Sequence, residues 1–166
     1  MRIPRFPEPA AVGSVTVRAT PAQAYAVVSD PIAMVRFTEE AYRVRWLGGG
    51  TGAAVGARFQ GWNRNGRRRW TTQCRVTDAT PSLRFAYEVT ATPLALPIAR
   101  WQYDIAPTEE GCAVTETNWM RVPLWFIPAA VLVTGVRDRM GANGSHISTT
   151  LVRLKAHLEE APASPS

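Results

Sequence analysis

At 166 residues the chain has the length of one domain and can bury a core, and 46% hydrophobic against 19% charged residues excludes a disordered chain. The formal charge of +6 is carried almost wholly by arginine, Lys155 being the only lysine. No lysine-rich run or aromatic-basic repeat accompanies it, so a solvated face is expected and no nucleic-acid partner.

Residues 1–13 read as a Pro-rich arm, broken by Pro4, Pro7 and Pro9 and without the apolar core of a signal peptide. A strand follows over 14–19, with Val15 and Val17 on one face. Thr20-Pro21-Ala22-Gln23 has the form of a capping box with Pro at the first helical position, predicting a short helix through Ser29. Asp30-Pro31 stops it and starts a second helical turn through about Phe37. Strands are then expected over 42–48, 55–63, 67–78, 83–92, 98–107 and 111–121. Asn63-Arg64-Asn65-Gly66 marks a hairpin turn, and Thr80-Pro81, Thr92-Pro93 and Glu110-Gly111 punctuate the later connections. The short links predict a largely antiparallel sheet. No linker interrupts the chain before a tail at 161–166, so residues 14–160 read as a single domain.

The last third carries an apolar stripe: Val133, Val136, Met140, Asn143, Ile147, Leu151, Leu154 and Leu158 recur at three- and four-residue steps, one face of a long helix. Gly135, Gly141, Asn143 and Gly144 loosen its middle, where large side chains would normally fill the space over a sheet. A curved antiparallel sheet gripping this helix, with a cavity between them, is the expected α+β architecture. The longest apolar stretch, Leu124 to Gly135, is too short to span a bilayer and contains Pro128, so a soluble, cytoplasmic protein without stable membrane insertion is expected. No oligomeric state follows from the pattern. Cys74 and Cys112 have neither the spacing nor the neighbouring histidine of a zinc or redox motif. No metal or other cofactor is expected, and the cysteines read as buried thiols, with a disulfide as the alternative.

A set of segments spread along the chain carries a resemblance. They are Val15-Thr16-Val17 before Ala19-Thr20-Pro21 and Ala24-Tyr25; Ser29-Asp30-Pro31 with Met34; Trp46-Leu47-Gly48-Gly49; and Val55-Gly56-Ala57-Arg58-Phe59-Gln60-Gly61. They continue through Asn63-Arg64, Trp70, Val76 with Pro81, Phe85-Ala86-Tyr87-Glu88-Val89, Trp101-Gln102-Tyr103, Gly111 with Val114-Thr115-Glu116, and Thr150-Leu151-Val152-Arg153-Leu154-Lys155. The sequence resembles a polyketide cyclase/dehydrase-type member of the START-like (SRPBCC) superfamily. The resemblance implies a helix-grip fold and a deep apolar pocket for a lipid-like, polyketide-like or other hydrophobic small molecule.

Strand alternation assigns the pocket's faces. Trp70, Thr72, Cys74 and Val76 share one parity, as do Leu83, Phe85, Tyr87 and Val89, and Trp101, Tyr103 and Ile105; Arg75, Arg84, Arg100 and Asp104 fall on the other side. On 111–121, Glu116 and Asn118 share the inward parity of Val114 and Met120. A buried carboxylate needs a partner or a raised pKa, so Glu116 is the candidate catalytic acid/base or ligand anchor, with Arg137, His146, Arg69 or Arg58 as candidate partners. The candidate ligand-binding set is Phe59, Arg69, Trp70, Thr72, Phe85, Tyr87, Trp101, Tyr103, Asn118, Arg137, Met140, Asn143, Gly144 and Ile147. His157 is expected on the surface. Residues 121–133, with Pro123, Pro128 and Trp125, suit a lid over the mouth, a dimer contact or a membrane-touching patch. No nucleophile elbow, paired carboxylates or phosphate loop appears. A carrier or sensor of a hydrophobic small molecule is therefore the leading expectation. The alternatives are a cyclase/aromatase acting on a poly-β-ketone and a protein- or membrane-interaction module.

Overall fold

The computed structural model describes residues 8–160. Strand β1 (Ala11–Val17) leads to helix α1 (Pro21–Val28), whose start is fixed twice: the Thr20 hydroxyl accepts from Gln23 N at 3.1 Å, and Gln23 Oε1 accepts from Thr20 N at 2.9 Å. Asp30 then caps α2 (Pro31–Met34), accepting from Ile32 N and Ala33 N. Six strands follow: β2 (Ala41–Leu47), β3 (Arg58–Asn65), β4 (Arg68–Thr80), β5 (Arg84–Ala91), β6 (Leu96–Thr108) and β7 (Gly111–Met120). A 3-10 turn at Leu124–Phe126, helix α3 (Ile127–Thr134) and helix α4 (Arg139–Glu160) complete the described chain.

The strands form one antiparallel sheet in the order β1-β7-β6-β5-β4-β3-β2. The first strand thus closes onto the last, while α1 and α2 carry the chain to the far edge. Register shifts in β2, between Val76 and Asp78, and between Val89 and Thr90 bend the sheet, which wraps α4 as a curved grip. The convex face is polar: Arg84 reaches Asp104 at 2.6 Å, Gln102 bonds Asp104, and Arg100 bonds Gln102 and Thr77.

Helix α4 makes its close approach at β1, at that edge, and stands off from the middle of the sheet. The close approach rests on Gly13, where a Cβ would stand 2.5 Å from Ile147 Cγ2 and 3.2 Å from Leu151 Cδ1. The branched Ile147 has one preferred helical rotamer and cannot swing aside. Gly13→Ala would gain about 0.5–1 kcal/mol of backbone entropy, but overpacking costs about 1–3. A net loss of roughly 1–2 kcal/mol is expected in urea unfolding.

Four expectations are corrected. The strand begins at Ala11, shortening the arm, of which residues 1–7 lie outside the described residues, as does the tail at 161–166. The hairpin tip is Gly66-Arg67, with Asn65 paired to Arg68, because the Gly with positive φ sets the turn. Leu83 is exposed, since β5 starts only at Arg84. The apolar stripe is not one helix: α3 ends at Gly135 in the left-handed region (φ 74°), and α4 starts anew where Asp138 Oδ1 accepts from Gly141 N. Val133 and Val136 therefore precede α4, whose buried stripe is Asn143, Ile147, Thr150, Leu151, Leu154 and Leu158.

Candidate functional site

Between the concave sheet and α4 lies a cavity of about 640 Å³, roofed at one end by α3. That volume suits a small organic ligand, for which pockets typically run about 300–1,000 Å³. The interruption after Gly135 is what leaves the space: α4 covers the β1 and β7 side, and the separate α3 covers the mouth. An open polar cleft bounded by Glu39, Glu40, Arg64, Asn65 and His146 adjoins it. Glu40 holds Arg139 through both oxygens at 2.8–2.9 Å, and Glu39 faces His146 Nε2 at 3.2 Å.

The floor is set by sheet register. Gly13, Glu116, Tyr103 and Phe85 stand opposite one another on β1, β7, β6 and β5, and Asn118, Trp101, Tyr87 and Val76 form the next inward rung. Rings meet across it at 5.2–5.8 Å, from Trp46 through Phe59 to Tyr87 and Phe85, edge-on or tilted. Tyr87 lies deep yet keeps partly accessible surface, because that surface faces the cavity.

Glu116 is the chemical feature of the floor. It is 3% exposed and accepts from the Tyr103 hydroxyl at 2.8 Å through Oε1, while the buried Oε2 has no partner among the described residues. Burial pushes its carboxyl up to about 8, the Tyr103 bond pulling only weakly the other way. The Tyr103 and Tyr87 phenols are raised well above their ordinary value, by burial first and then by the neighbouring carboxyl or thiol. At neutral pH the floor is therefore a neutral carboxyl and two neutral phenols, a set of hydrogen-bond donors in an apolar surround. Such a set fits a ligand oxygen better than a cation.

Of the expected lining, Phe59, Trp70, Thr72, Phe85, Tyr87, Trp101, Tyr103, Glu116 and Asn143 border the cavity, with Arg137 and Met140 at its exposed rim. Four others do not border it. Arg69 is exposed, its guanidinium 5.9 Å from the Tyr42 ring centroid outside the sheet. Asn118 lies one layer behind, accepting from Asn143 Nδ2 at 2.8 Å and donating to Arg100 O at 3.2 Å. Ile147 is buried over Gly13, and Gly144 sits on α4 away from the space. The expected charged partners of Glu116 are also corrected. Arg58 and Arg69 are exposed, Arg137 stays at the rim, and His146 faces Glu39; the cross-strand neighbour Tyr103 holds Glu116 instead. His157 is partly exposed and packs on Phe37, ring centroids 5.2 Å apart.

Sequence reasoning left out the roof as lining. Phe126, Ala130, Val131 and Thr134 border the cavity, as do Met120 and Val122. The signal was the uncharged run from Val122 to Val136. Cys74 and Cys112 are free and buried, and burial pushes the Cys74 thiol up to about 12, which leaves it inert. No group of side chains among the described residues could hold a metal ion.

The sequence profile described as polyketide cyclase / dehydrase and lipid transport matches residues 9–159. No curated protein matches the chain significantly. Among solved structures, the chain is similar to a Polyketide_cyc-like protein from Corynebacterium glutamicum, with 25% identity and a TM-score of 0.62 over 97% of this chain and 100% of that one. A protein from Mesorhizobium loti aligns at 13% identity with a TM-score of 0.66, covering 92% of this chain and 98% of that one. The di-domain ARO/CYC StfQ of the steffimycin biosynthetic pathway aligns at 15% identity with a TM-score of 0.66, covering 90% of this chain and 50% of that one. The last two likenesses speak for the fold alone.

Proposed function

The chain belongs to the polyketide cyclase / dehydrase and lipid transport family, and from that premise we propose that it binds a hydrophobic small molecule, lipid-like or polyketide-like, as a carrier or sensor. One observation carries the reading: a cavity of about 640 Å³, walled mainly by apolar and aromatic side chains, is bordered by Glu116, whose buried Oε2 has no partner among the described residues. A ligand oxygen at the deep end would satisfy that atom, and the apolar remainder would lie along Phe59, Trp101 and the underside of α3. A cytoplasmic setting belongs to this reading and agrees with two unpaired thiols. Glu116 and the bordering residues named above are the binding set of the proposal; Arg69, Asn118, Gly144 and Ile147 lie outside it.

Native mass spectrometry of protein purified from a metabolite-rich lysate is the test. A discrete co-purifying hydrophobic mass is expected, and clean apo protein from several hosts would count against the carrier reading. Ala99→Phe adds a ring to a buried cavity wall. It should weaken retention roughly ten- to hundredfold, the equivalent of about 1–3 kcal/mol of steric cost.

A second reading, cyclase or aromatase, is favoured by the neutral carboxyl itself. Glu116 would give its proton to a ketone oxygen becoming a hydroxyl and recover one from the carbon acid, while the cavity holds the chain in a reactive conformer. Glu116→Gln should then abolish ring closure of a poly-β-ketone while preserving its affinity; unchanged turnover would remove Glu116 from any mechanism.

A further inference from the structure

We propose that the outer face of α3 and the tip of the β3–β4 hairpin together form a docking surface for an anionic lipid bilayer. The inference deepens the carrier reading and rests on it for its purpose, since the docked face would open the cavity mouth toward acyl chains.

The run from Val122 to Val136 carries no charge. Its inner residues, Phe126, Ala130 and Val131, face the cavity, which explains their apolar character. Trp125, 70% exposed, and Leu132, 71% exposed, have no such reason, and Leu124 at the cavity's edge is still 84% exposed. Trp125 and Leu132 do not border the cavity at all. Three large apolar side chains this open on one short segment are more than a soluble surface requires.

The hairpin tip lies against the end of this segment. Asn65 Nδ2 donates to Thr134 O at 2.9 Å, and the Arg68 side chain packs over Gly135, 2.9 Å from where a Cβ would be. Arg64, Arg67, Arg68 and Arg69 are all exposed there, and Arg137 follows just beyond α3. The nearby carboxylates are already engaged: Glu40 with Arg139, Glu39 with His146, and Asp138 with Gly141 N at the start of α4. An apolar wedge beside a net-positive, arginine-rich cluster is complementary to acyl chains below anionic headgroups. A second copy fits worse, because a twofold contact would set the two arginine clusters against each other. No helix among the described residues is long and apolar enough to cross a membrane, so the docking is peripheral.

The test is co-sedimentation of the full chain with vesicles of phosphatidylcholine alone and of phosphatidylcholine mixed with phosphatidylglycerol, at low and at physiological salt. Binding is expected to the mixed vesicles and to fall with salt. Arg67, Arg68 and Arg69 together replaced by Gln should weaken it roughly hundredfold, at about 1 kcal/mol or fivefold per arginine. Trp125→Ser with Leu132→Ser should abolish it. Lack of sedimentation at low salt, equal binding to both vesicle types, or unchanged binding of both variants would overturn the proposal. So would a lipid-free dimer that the Trp125 and Leu132 changes dissociate. Native mass spectrometry of the same variants separates the two ideas: a co-purifying molecule retained by protein that ignores vesicles leaves the cavity reading standing and removes the docking surface.

Discussion

Glu116→Gln is expected to stabilise the protein in alkaline solution by on the order of 2–5 kcal/mol and to flatten its stability between pH 4.5 and pH 8. The carboxyl rises from an ordinary 4.5 to about 8 in the folded protein because burial disfavours its charge. For an acid whose folded pKa is raised, the folded state holds a proton that the unfolded state has released, so unfolding becomes easier as pH rises through this interval. Below about 4.5 both states are protonated and nothing is lost; above about 8 both are ionised and the loss is complete. Each unit is worth about 1.4 kcal/mol, which gives roughly 5 as the ceiling and less where the cavity hydrates the ion. The amide is the right replacement, since its oxygen still accepts from the Tyr103 hydroxyl where Glu116 Oε1 does now at 2.8 Å. Thermal midpoints measured at pH 5 and pH 8 should differ for the wild type by on the order of 5–15 °C and hardly at all for the variant. Parallel profiles would mean that the carboxylate is solvated in the folded protein, and the picture of a neutral donor at the cavity floor would fall with it.

The same variant bears on function, because a neutral carboxyl and an amide both donate hydrogen bonds but only the carboxyl transfers a proton. A carrier should tolerate Gln at 116, and an acid catalyst should not. The site thus makes the two proposed functions separable by one substitution, a consequence of placing a buried carboxyl with a raised pKa beside two phenols held neutral.

Local chemistry was readable from the sequence wherever it was set by neighbours in the chain. Thr20 to Gln23 and Asp30-Pro31 fixed helix starts, and period-two alternation aimed Glu116 and Asn118 inward, where they are 3% and 0% exposed. The family resemblance rested on segments spread over much of the chain, and the matching profile covers residues 9–159. What alternation cannot supply is register. Tyr103 holds Glu116 because the two are opposite each other on β6 and β7, a relation set by the length of the intervening hairpin and not by side-chain type. Helical spacing misled at the roof for a related reason: Val133, Val136 and Met140 fit the three- and four-residue steps, yet Gly135 in a left-handed conformation and the Asp138 cap divide the segment. Ile147 passed for a lining residue because its role depends on Gly13, far away in the chain, allowing contact with β1.

Gly111→Ala is expected to cost at least about 3 kcal/mol, the largest loss foreseen for any single methyl in this chain. Gly111 opens β7 opposite Thr108, with φ at 153°, a region that favours glycine. A Cβ there would run into the Val17 carbonyl oxygen and stand 2.8–2.9 Å from the backbone O and N of Ala19. None of these atoms can rotate away. Relief would require moving the end of β1, which is paired through Val17 to Cys112 and leads directly into the Thr20 capping box. The penalty therefore reaches the β1–β7 register on which the Glu116 rung depends. Against a typical stability of about 5–15 kcal/mol, a loss of this size should lower the urea midpoint by roughly 1 M or more with an unchanged slope. Gly52→Ala is the control: a Cβ there meets nothing within 4 Å, and its effect should stay within about 0.5 kcal/mol. If the two variants unfolded alike, the corner between β1 and β7 would have to yield in solution.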